Sequence, residues 1–433
     1  MAPVDVNALS GTVGYALIFA AIGFGFGSVL EMAGFGDTRK LAAQFYLSEM
    51  TVLKVMFTAI VVAAVLLTLA SGLGLLDMSR VFVNPTFLPS EILGGLIMGV
   101  GFVLGGFCPG TSLVAAATLK VDGMLFVLGG LVGVFLFGES VGSFEPFWLS
   151  ANLGRFTLPE WLGLSTGLTV LLVVLMALAA FAAAEALERR FGPARPGAQG
   201  RPRLAWAGAG ALLAASLLLA FRGDPSPDQR WRWLPAAAHQ EVTDRAVFAS
   251  PAEVVALRKD TALRVEVLDL RGEHDFNLFH VGGARRVAPA DLVRPAALRR
   301  FLDEPPSTIT FLTDNGERLA LEAWKALRSL GVANVYVLEG GMNRWLELYP
   351  VPDCVATREP PLGDDALGYR FAFATGDRLP SAWPELPRSR AFQFPCGGLA
   401  SRGGEGGEFR WPDHPYKRTV KPKVRSVVKG GCG

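Results

Sequence analysis

Six apolar runs in the first half of the chain constrain its fold more than any other feature. A helix needs about 20 predominantly apolar residues to span the hydrocarbon core of a bilayer. The runs cover residues 12–33, 51–75, 91–119, 122–141, 162–184 and 204–221. They predict an α-helical polytopic membrane domain of about six spans over residues 1–222, with the lipid bilayer as its surroundings.

The basic residues between these runs predict the orientation of the spans, because Lys and Arg are enriched in short cytoplasmic loops. Arg39 and Lys40 follow the first run, whereas loops 77–90 and 142–161 hold only Arg80 and Arg155. The loop before the last run contains Arg189, Arg190, Arg195, Arg201 and Arg203. Six crossings place the basic loops in the cytoplasm and the chain after residue 222 outside. A re-entrant hairpin at 91–119 would break this pattern.

The third run is interrupted by Cys108 and Pro109 within a glycine-rich stretch, residues 91–123. Proline is favoured in the first turn of a helix, so we expect Cys108 at the start of a new half-helix. A helix N-terminus attracts anions and favours the thiolate form of a cysteine. Broken helices of this kind form substrate sites in transporters. The competing interpretation is that the glycines only allow close helix packing and that Cys108 is inert.

The broken run resembles the YeeE/YedE family of membrane sulfur transporters. The resemblance rests on residues 94–117 and 122–133, and earlier on 23–35 and 51–60. It implies passage of thiosulfate or a related sulfur anion along a path of cysteines. The implied path residues are Cys108, Pro109, Gly110, Thr111 and Ser112. Longer family members carry two such units and further path cysteines, so we expect a homodimer or a paired membrane subunit.

After an expected Pro-rich linker at 223–239, the pattern changes to that of a soluble α/β domain, predicted over residues 240–353. Strands are predicted at 265–270, 307–314 and 334–340, with a helix at 319–332. The alternation of strands and helices favours a parallel sheet.

This part resembles a rhodanese-like domain. The matching residues are Asp269, Arg271, His280, Gly283, Ala284, Leu338, Gly340, Gly341 and Trp345. The family moves sulfane sulfur on a cysteine that begins a loop after the central strand. Here the loop reads Thr313, Asp314, Asn315, Gly316, Glu317 and Arg318.

Threonine therefore stands at the cysteine position, and its hydroxyl cannot carry sulfane sulfur. No catalytic residue is assigned, and we expect an inactive domain. Loop N–H groups at a helix N-terminus can still hold an anion, which predicts binding of a sulfur anion or a protein at this loop. The alternative is that the loop only packs.

Residues 354–433 are rich in Gly and Pro and predict a flexible tail that ends in Gly-Gly-Cys-Gly. This ending resembles the carrier arm of the SoxY sulfur-oxidation protein and makes Cys432 a candidate sulfur carrier. It also suggests a sulfur-carrier protein as a partner class. The alternatives are a disulfide between Cys432 and Cys396 or Cys354, or an idle thiol.

The remaining composition excludes several functional classes. The net charge of +2 gives no reason to expect a nucleic-acid partner. None of the four cysteines falls in a CxxC spacing, so neither a metal site nor a cofactor is expected. The chain is expected to be a transporter rather than an enzyme, in a bacterial inner (plasma) membrane, with its soluble part exocytoplasmic. The alternatives are a membrane-anchored sulfur-carrier or sulfurtransferase partner and a sulfur-anion sensor.

Overall fold

The structure is a computed structural model with two compact units, Met1–Asp224 and Pro225–Gly433, which are treated separately below. It describes residues 11–78, 81, 83–192, 202–294, 297–298, 300–301, 304–305, 307–360, 362–363, 365–386 and 411–421.

The first unit is helical. Its helices are α1 Val13–Met32, α2 Thr38–Ala42, α3 Thr51–Gly72, α4 Leu88–Gly105, α5 Pro109–Ala117, α6 Val121–Ser140, α7 Glu145–Trp148, α8 Leu158–Leu162, α9 Thr166–Phe191 and α10 Pro202–Arg222. A short antiparallel ribbon of β1, Pro85–Phe87, and β2, Asn152–Arg155, joins two of the connections.

The predicted membrane domain is confirmed. Among the described residues, five segments are long and apolar enough to cross a bilayer, and α10 with the helix after it raises the number to six. Helices α4 and α5 together form one such segment, Leu88–Ala117, of 30 residues. The chain is therefore a multi-pass membrane protein whose third span is broken near Cys108.

Helices α3, α9 and α10 form the best-packed part of this unit. Val61, Val65, Val174, Ala177 and Leu219 are each no more than 4% exposed and contact one another across the three helices. Gly167 lets the start of α9 lie directly against the backbone of α10, since any larger side chain would meet the carbonyl group of Leu219.

An ion pair also joins α3 to α9. The ammonium group of Lys54 lies 2.6 Å from a carboxylate oxygen of Glu188. Lys54 lies in the apolar run 51–75, where an unpaired charge is costly, whereas Glu188 lies in the charged last turns of α9. The pair explains how the charge of Lys54 is accommodated in this run.

The second unit is an α/β domain with a parallel sheet, as predicted. Its helices are α11 Pro227–Trp233, α12 Ala236–Thr243, α13 Pro251–Arg258, α14 Glu273–Leu278, α15 Pro289–Leu292, α16 Arg318–Ser329 and α17 Gly341–Leu348. Its strands are β3 Phe248–Ala249, β4 Arg264–Asp269, β5 Arg285–Arg286, β6 Thr308–Thr313, β7 Val335–Leu338, β8 Ala356–Arg358 and β9 Tyr369–Phe371.

The main sheet has the order β3-β7-β6-β4-β5, and every pairing in it is parallel. Side chains alternate between the two faces of a strand. On β6, Ile309 and Phe311 therefore join one apolar core, whereas Leu312 joins the core on the opposite face. The whole strand is buried, including its three threonines, Thr308, Thr310 and Thr313.

The expected linker at 223–239 differs from the structure, which contains helix α11 and the start of α12 there. The indole ring of Trp231 in α11 lies 5.7 Å from that of Trp324 in α16, so the segment packs onto the domain. Pro227 occupies the first turn of α11, a position that proline favours, and Pro235 is the N-cap of α12.

The expected tail also differs from the structure. Residues 354–360, 365–386 and 411–421 lie against the domain, and Val355, Leu379 and Val420 are at most 1% exposed. Strands β8 and β9 of this extension form an antiparallel hairpin. These apolar residues are too widely spaced to produce a periodic pattern, so only packing against the main sheet reveals them. Cys396 and Cys432 lie outside the described residues.

Candidate functional site

The break in the third span is built by Gly106, Phe107 and Cys108. Gly106 ends α4 in the left-handed conformation, with φ of 71°, which glycine adopts without strain. Phe107 is 1% exposed and anchors the turn in an apolar cluster. Cys108 is extended, with φ of −95° and ψ of 165°, and is the N-cap of α5. The structure thus places Cys108 at a half-helix start, as predicted.

Cys108 and Thr111 form a reciprocal capping interaction. The Cys108 N–H donates to Thr111 Oγ1 at 3.0 Å, and the Thr111 N–H donates to Cys108 Sγ at 3.5 Å. The thiol is free and half-buried. Its sulfur therefore lies where backbone N–H groups and the helix dipole stabilise negative charge.

The other predicted path residues shape this turn. Pro109 occupies the first turn of α5, and a Cβ added at Gly110 would meet no atom within 4 Å. Thr111 and Ser112 are 3% and 2% exposed. Ser112 Oγ donates to the Pro109 carbonyl oxygen at 2.9 Å. The two hydroxyl groups thus stabilise the turn that presents Cys108.

A second, similar break lies after α1, with one additional residue, Gly36, before the N-cap. Gly34 has φ of 75°, Phe35 is fully buried, and Asp37 is the N-cap of α2. The two breaks meet, because a Cβ at Gly106 would lie 3.2 Å from the Cβ of Thr38. Sequence reasoning noted a weak repeat but missed this contact. The Gly-Phe pair that precedes both caps is the signal that could have found it.

In the second unit, the loop at 313–318 follows β6. Thr313, at the position of the family's cysteine, is fully buried, and its hydroxyl donates to the Asp314 carbonyl oxygen at 3.2 Å. Asp314 Oδ2 accepts from the N–H groups of Leu319 and Ala320, at 2.7 and 3.2 Å, and so caps α16.

Neighbouring ion pairs fix the ends of this loop. Arg271 lies 2.6 Å from Asp269 in a buried pair and also donates to Asn315 Oδ1 at 3.2 Å. Glu317 pairs with Arg245 at 2.6 Å. Arg318 lies 3.8 Å from Glu322 on the exposed face of α16.

The N–H groups of the loop at which an anion was predicted to bind are engaged within the chain. The N–H groups of Asn315 and Gly316 both donate to Oδ1 of Asp365, at 3.1 and 3.0 Å. Sequence reasoning missed Asp365 because it lies in the extension that was expected to be a flexible tail. No local motif connects it to the loop.

The carboxyl group of Asp314 is perturbed by this arrangement. Its burial, followed by the nearby Asp365 carboxylate, raises the pKa of Asp314 from 3.8 to about 7. Asp314 Oδ1 is buried and accepts no hydrogen bond within the described residues. A proton on the Asp314 carboxyl group satisfies this atom, so Asp314 is protonated in weakly acidic solution and loses its proton near pH 7.

The other cysteine among the described residues, Cys354, is disulfide-bonded. Within the part of the chain that the structure describes, no three His, Cys, Asp or Glu side chains are grouped so as to hold a metal ion.

Comparison with known families agrees with both halves of this description. The family model described as sulphur transport matches residues 33–226, and the rhodanese-like domain model matches residues 250–348. The chain is a YeeE/YedE-type sulfur-transport domain fused to a rhodanese-like domain. This combination identifies a sulfur-related transporter in a membrane.

Wider comparison adds little to the family assignment. No curated protein matches the chain. A solved structure from Rhodopseudomonas palustris, titled a protein of unknown function and possible tyrosine phosphatase, is 17% identical. The match covers 28% of this chain and 90% of that one, with a TM-score of 0.22.

Proposed function

We propose that the sulfur-transport domain moves thiosulfate or a closely related sulfur anion across a bacterial inner membrane, past Cys108. The observation that carries this proposal is the free thiol at the N-cap of α5, which accepts the N–H of Thr111.

The low polarity of the membrane interior strengthens the effect of such a position on an anion. An anion at membrane depth loses its hydration, which costs free energy unless polar groups replace the water. The N-terminus of α5 supplies N–H groups and a partial positive charge of about half a unit. A polarisable sulfur in the same place adds a soft contact for a sulfur-containing anion. The break at Gly106 is what brings these two features together.

The rhodanese-like domain is proposed to be inactive in sulfur transfer. Thr313 cannot form a persulfide, and its side chain is fully buried. Presentation of sulfur species is assigned to Cys432, which three glycines flank and leave sterically open.

The second unit is proposed to be exocytoplasmic. Disulfides persist in oxidising compartments, and Cys354 is disulfide-bonded. This argument is independent of the arginine-rich loop that suggested the same orientation. Reporter fusions at residues 195 and 240 test it. A cytoplasmic signal at 195 and an exocytoplasmic one at 240 are expected, and a cytoplasmic signal at 240 would reverse the assignment.

A second copy or a paired subunit is proposed to cover the glycine faces of α4 and α6. Each helix carries a Gly-x-x-x-Gly pair, Gly95 with Gly99 and Gly129 with Gly133, and a Cβ at any of them would meet nothing within 4 Å. Such pairs let membrane helices approach closely. The mass of the particle in nanodiscs measures this association. A Gly99→Leu, Gly133→Leu variant should release the partner.

The central test is growth on thiosulfate in a bacterial strain that lacks its own sulfur uptake. Cells that produce this chain should grow, and cells that produce Cys108→Ala at equal membrane levels should not. If neither strain grows, thiosulfate is not the substrate. If both strains grow equally, Cys108 has no role in transport.

A further inference from the structure

We propose that Asp365 is an internal ligand of the 313–318 loop, which closes this loop to anions from solution. The loop's N–H groups at Asn315 and Gly316 converge on one oxygen of the Asp365 carboxylate. Paired N–H groups beside a helix start form a general site for oxyanions. In this chain the anionic group at the site is the Asp365 carboxylate, which belongs to the C-terminal extension of the same domain.

Two asparagines outside the extension hold it in place. Asn315 Nδ2 donates to the Asp365 carbonyl oxygen at 3.2 Å, and Asn343 Nδ2 donates to the Ala366 carbonyl oxygen at 3.0 Å. Asn343 Oδ1 also accepts the N–H of Gly368 at 2.7 Å. Both the carboxylate and the backbone of the segment 365–368 are therefore docked, which separates this contact from an exposed side chain that happens to lie nearby.

The charges around the loop also oppose a second anion. Besides Asp365, Asp275 of α14 approaches the loop and accepts from Asn315 Nδ2 at 2.7 Å. The guanidinium groups of Arg271 and Arg245 are engaged with Asp269 and Glu317. An anion from solution would therefore meet occupied N–H groups and carboxylates, and it can enter only when segment 365–368 is displaced.

This inference refines the proposed role of the rhodanese-like domain, but it does not depend on transport through Cys108. The test is hydrogen–deuterium exchange of the full chain in nanodiscs, read on peptides that cover residues 313–318. Sodium thiosulfate at millimolar concentration is the probe, with sodium chloride at equal ionic strength as the reference. Because exchange is read at the loop itself, failure of transport leaves the result unaffected.

In the wild-type chain, the loop amides should be protected and unchanged by thiosulfate. Asp365→Asn should accelerate their exchange roughly tenfold or more, because hydrogen bonds to a charged acceptor are lost. Thiosulfate should then restore protection in the variant. Glu359→Gln is the matched control, since it removes an exposed carboxylate of the same extension that pairs with Arg370 at 3.8 Å.

Asn343→Ala provides a second variant, because it releases the backbone of segment 365–368 while it leaves the Asp365 carboxylate present. It should also accelerate exchange in the loop. Protection of the wild-type loop by thiosulfate would overturn the proposal, as would unchanged exchange in both variants. Faster exchange in Asp365→Asn that thiosulfate does not reverse would equally overturn it, because the cradle would then not be an anion site.

Discussion

Asp37 and Cys108 occupy equivalent positions in two short helices of the membrane unit. Asp37 Oδ1 accepts the N–H of Arg39 at 2.9 Å, and Cys108 Sγ accepts that of Thr111 at 3.5 Å. Cys108 directly follows a left-handed glycine and a buried phenylalanine, whereas Gly36 separates the corresponding pair, Gly34 and Phe35, from Asp37. Two similar breaks are thus capped, one by a carboxylate and the other by a thiol.

The first prediction separates the cap from the sulfur at residue 108. Serine is a preferred N-cap residue, so Cys108→Ser should keep α5 intact. Cys108→Ala should lower the stability by about 1 kcal/mol through loss of the cap. Thiosulfate uptake should fall strongly in both variants, because both lack the polarisable sulfur. Thr118→Ala, at the other end of α5, is the control. Normal uptake by Cys108→Ser would assign the site to the helix N-terminus alone.

The second prediction concerns the ion pair between Lys54 and Glu188. Removing one partner of a buried pair costs about 3–5 kcal/mol, and exposure of roughly a quarter to a third of these side chains should reduce this to about 1–2 kcal/mol. Lys54→Met and Glu188→Gln should each lower the thermal midpoint in detergent, and the double variant should lose less than their sum.

A matched control for this pair lies on α9 itself. Glu185 is 3.6 Å from Arg189 in a largely exposed pair, so Glu185→Gln should change the free energy of unfolding by less than about 0.5 kcal/mol. Strictly additive effects of Lys54→Met and Glu188→Gln would show that the two charges are not coupled.

The third prediction is that the full chain has no thiosulfate:cyanide sulfurtransferase activity. Thr313→Cys alone should also be inactive, because position 313 is fully buried and Asp365 fills the neighbouring cradle. Sulfurtransferase activity is expected only when Thr313→Cys is combined with Asp365→Asn. Thiocyanate formation measures it. Turnover by the wild-type chain would contradict the assignment of Thr313 to the cysteine position.

The fourth prediction follows from the raised pKa of Asp314, about 7 in the folded chain against an ordinary value of 3.8. The folded state binds this proton more tightly than the unfolded state does. The resulting stability is fully present below about pH 4 and is lost as the pH rises to about 7, by at most about 4 kcal/mol.

Unfolding of the second unit, followed by exchange of peptides from β6, measures this effect. Asp314→Asn should flatten the dependence on pH between about 4 and 7, because its amide oxygen can still cap α16 but does not titrate in this range. The control is Asp291→Asn, which removes a half-exposed carboxylate near Arg294. A stability that rises through this pH window in the wild type would contradict the predicted sign.

The fifth prediction concerns the thiols of the second unit in protein from thiosulfate-fed cells. Peptide mapping should link Cys354, which is disulfide-bonded, to Cys396, and intact mass should reveal a reducible sulfur adduct on Cys432. Cys432→Ser should remove the adduct and leave the disulfide. A link between Cys354 and Cys432 would withdraw the carrier role of Cys432.

Much of this architecture follows from the sequence alone. The lengths of the apolar runs determine the spans, because a helix must match the thickness of the bilayer. The Cys-Pro pair at 108–109 determines the break, because proline can open a helix but cannot continue one without loss of a hydrogen bond. The alternation of short β-branched-rich strands with helices in the second half determines a parallel sheet.

Only the tertiary structure decided which groups meet across long separations in sequence. The contact of Gly106 with Thr38 and the binding of Asp365 to Asn315 and Gly316 join residues without any shared local pattern. Propensity and periodicity report on neighbours within a helix or strand. A backbone N–H donates to whichever oxygen the folded chain brings to it, so the packing of the extension decided the occupant of the loop.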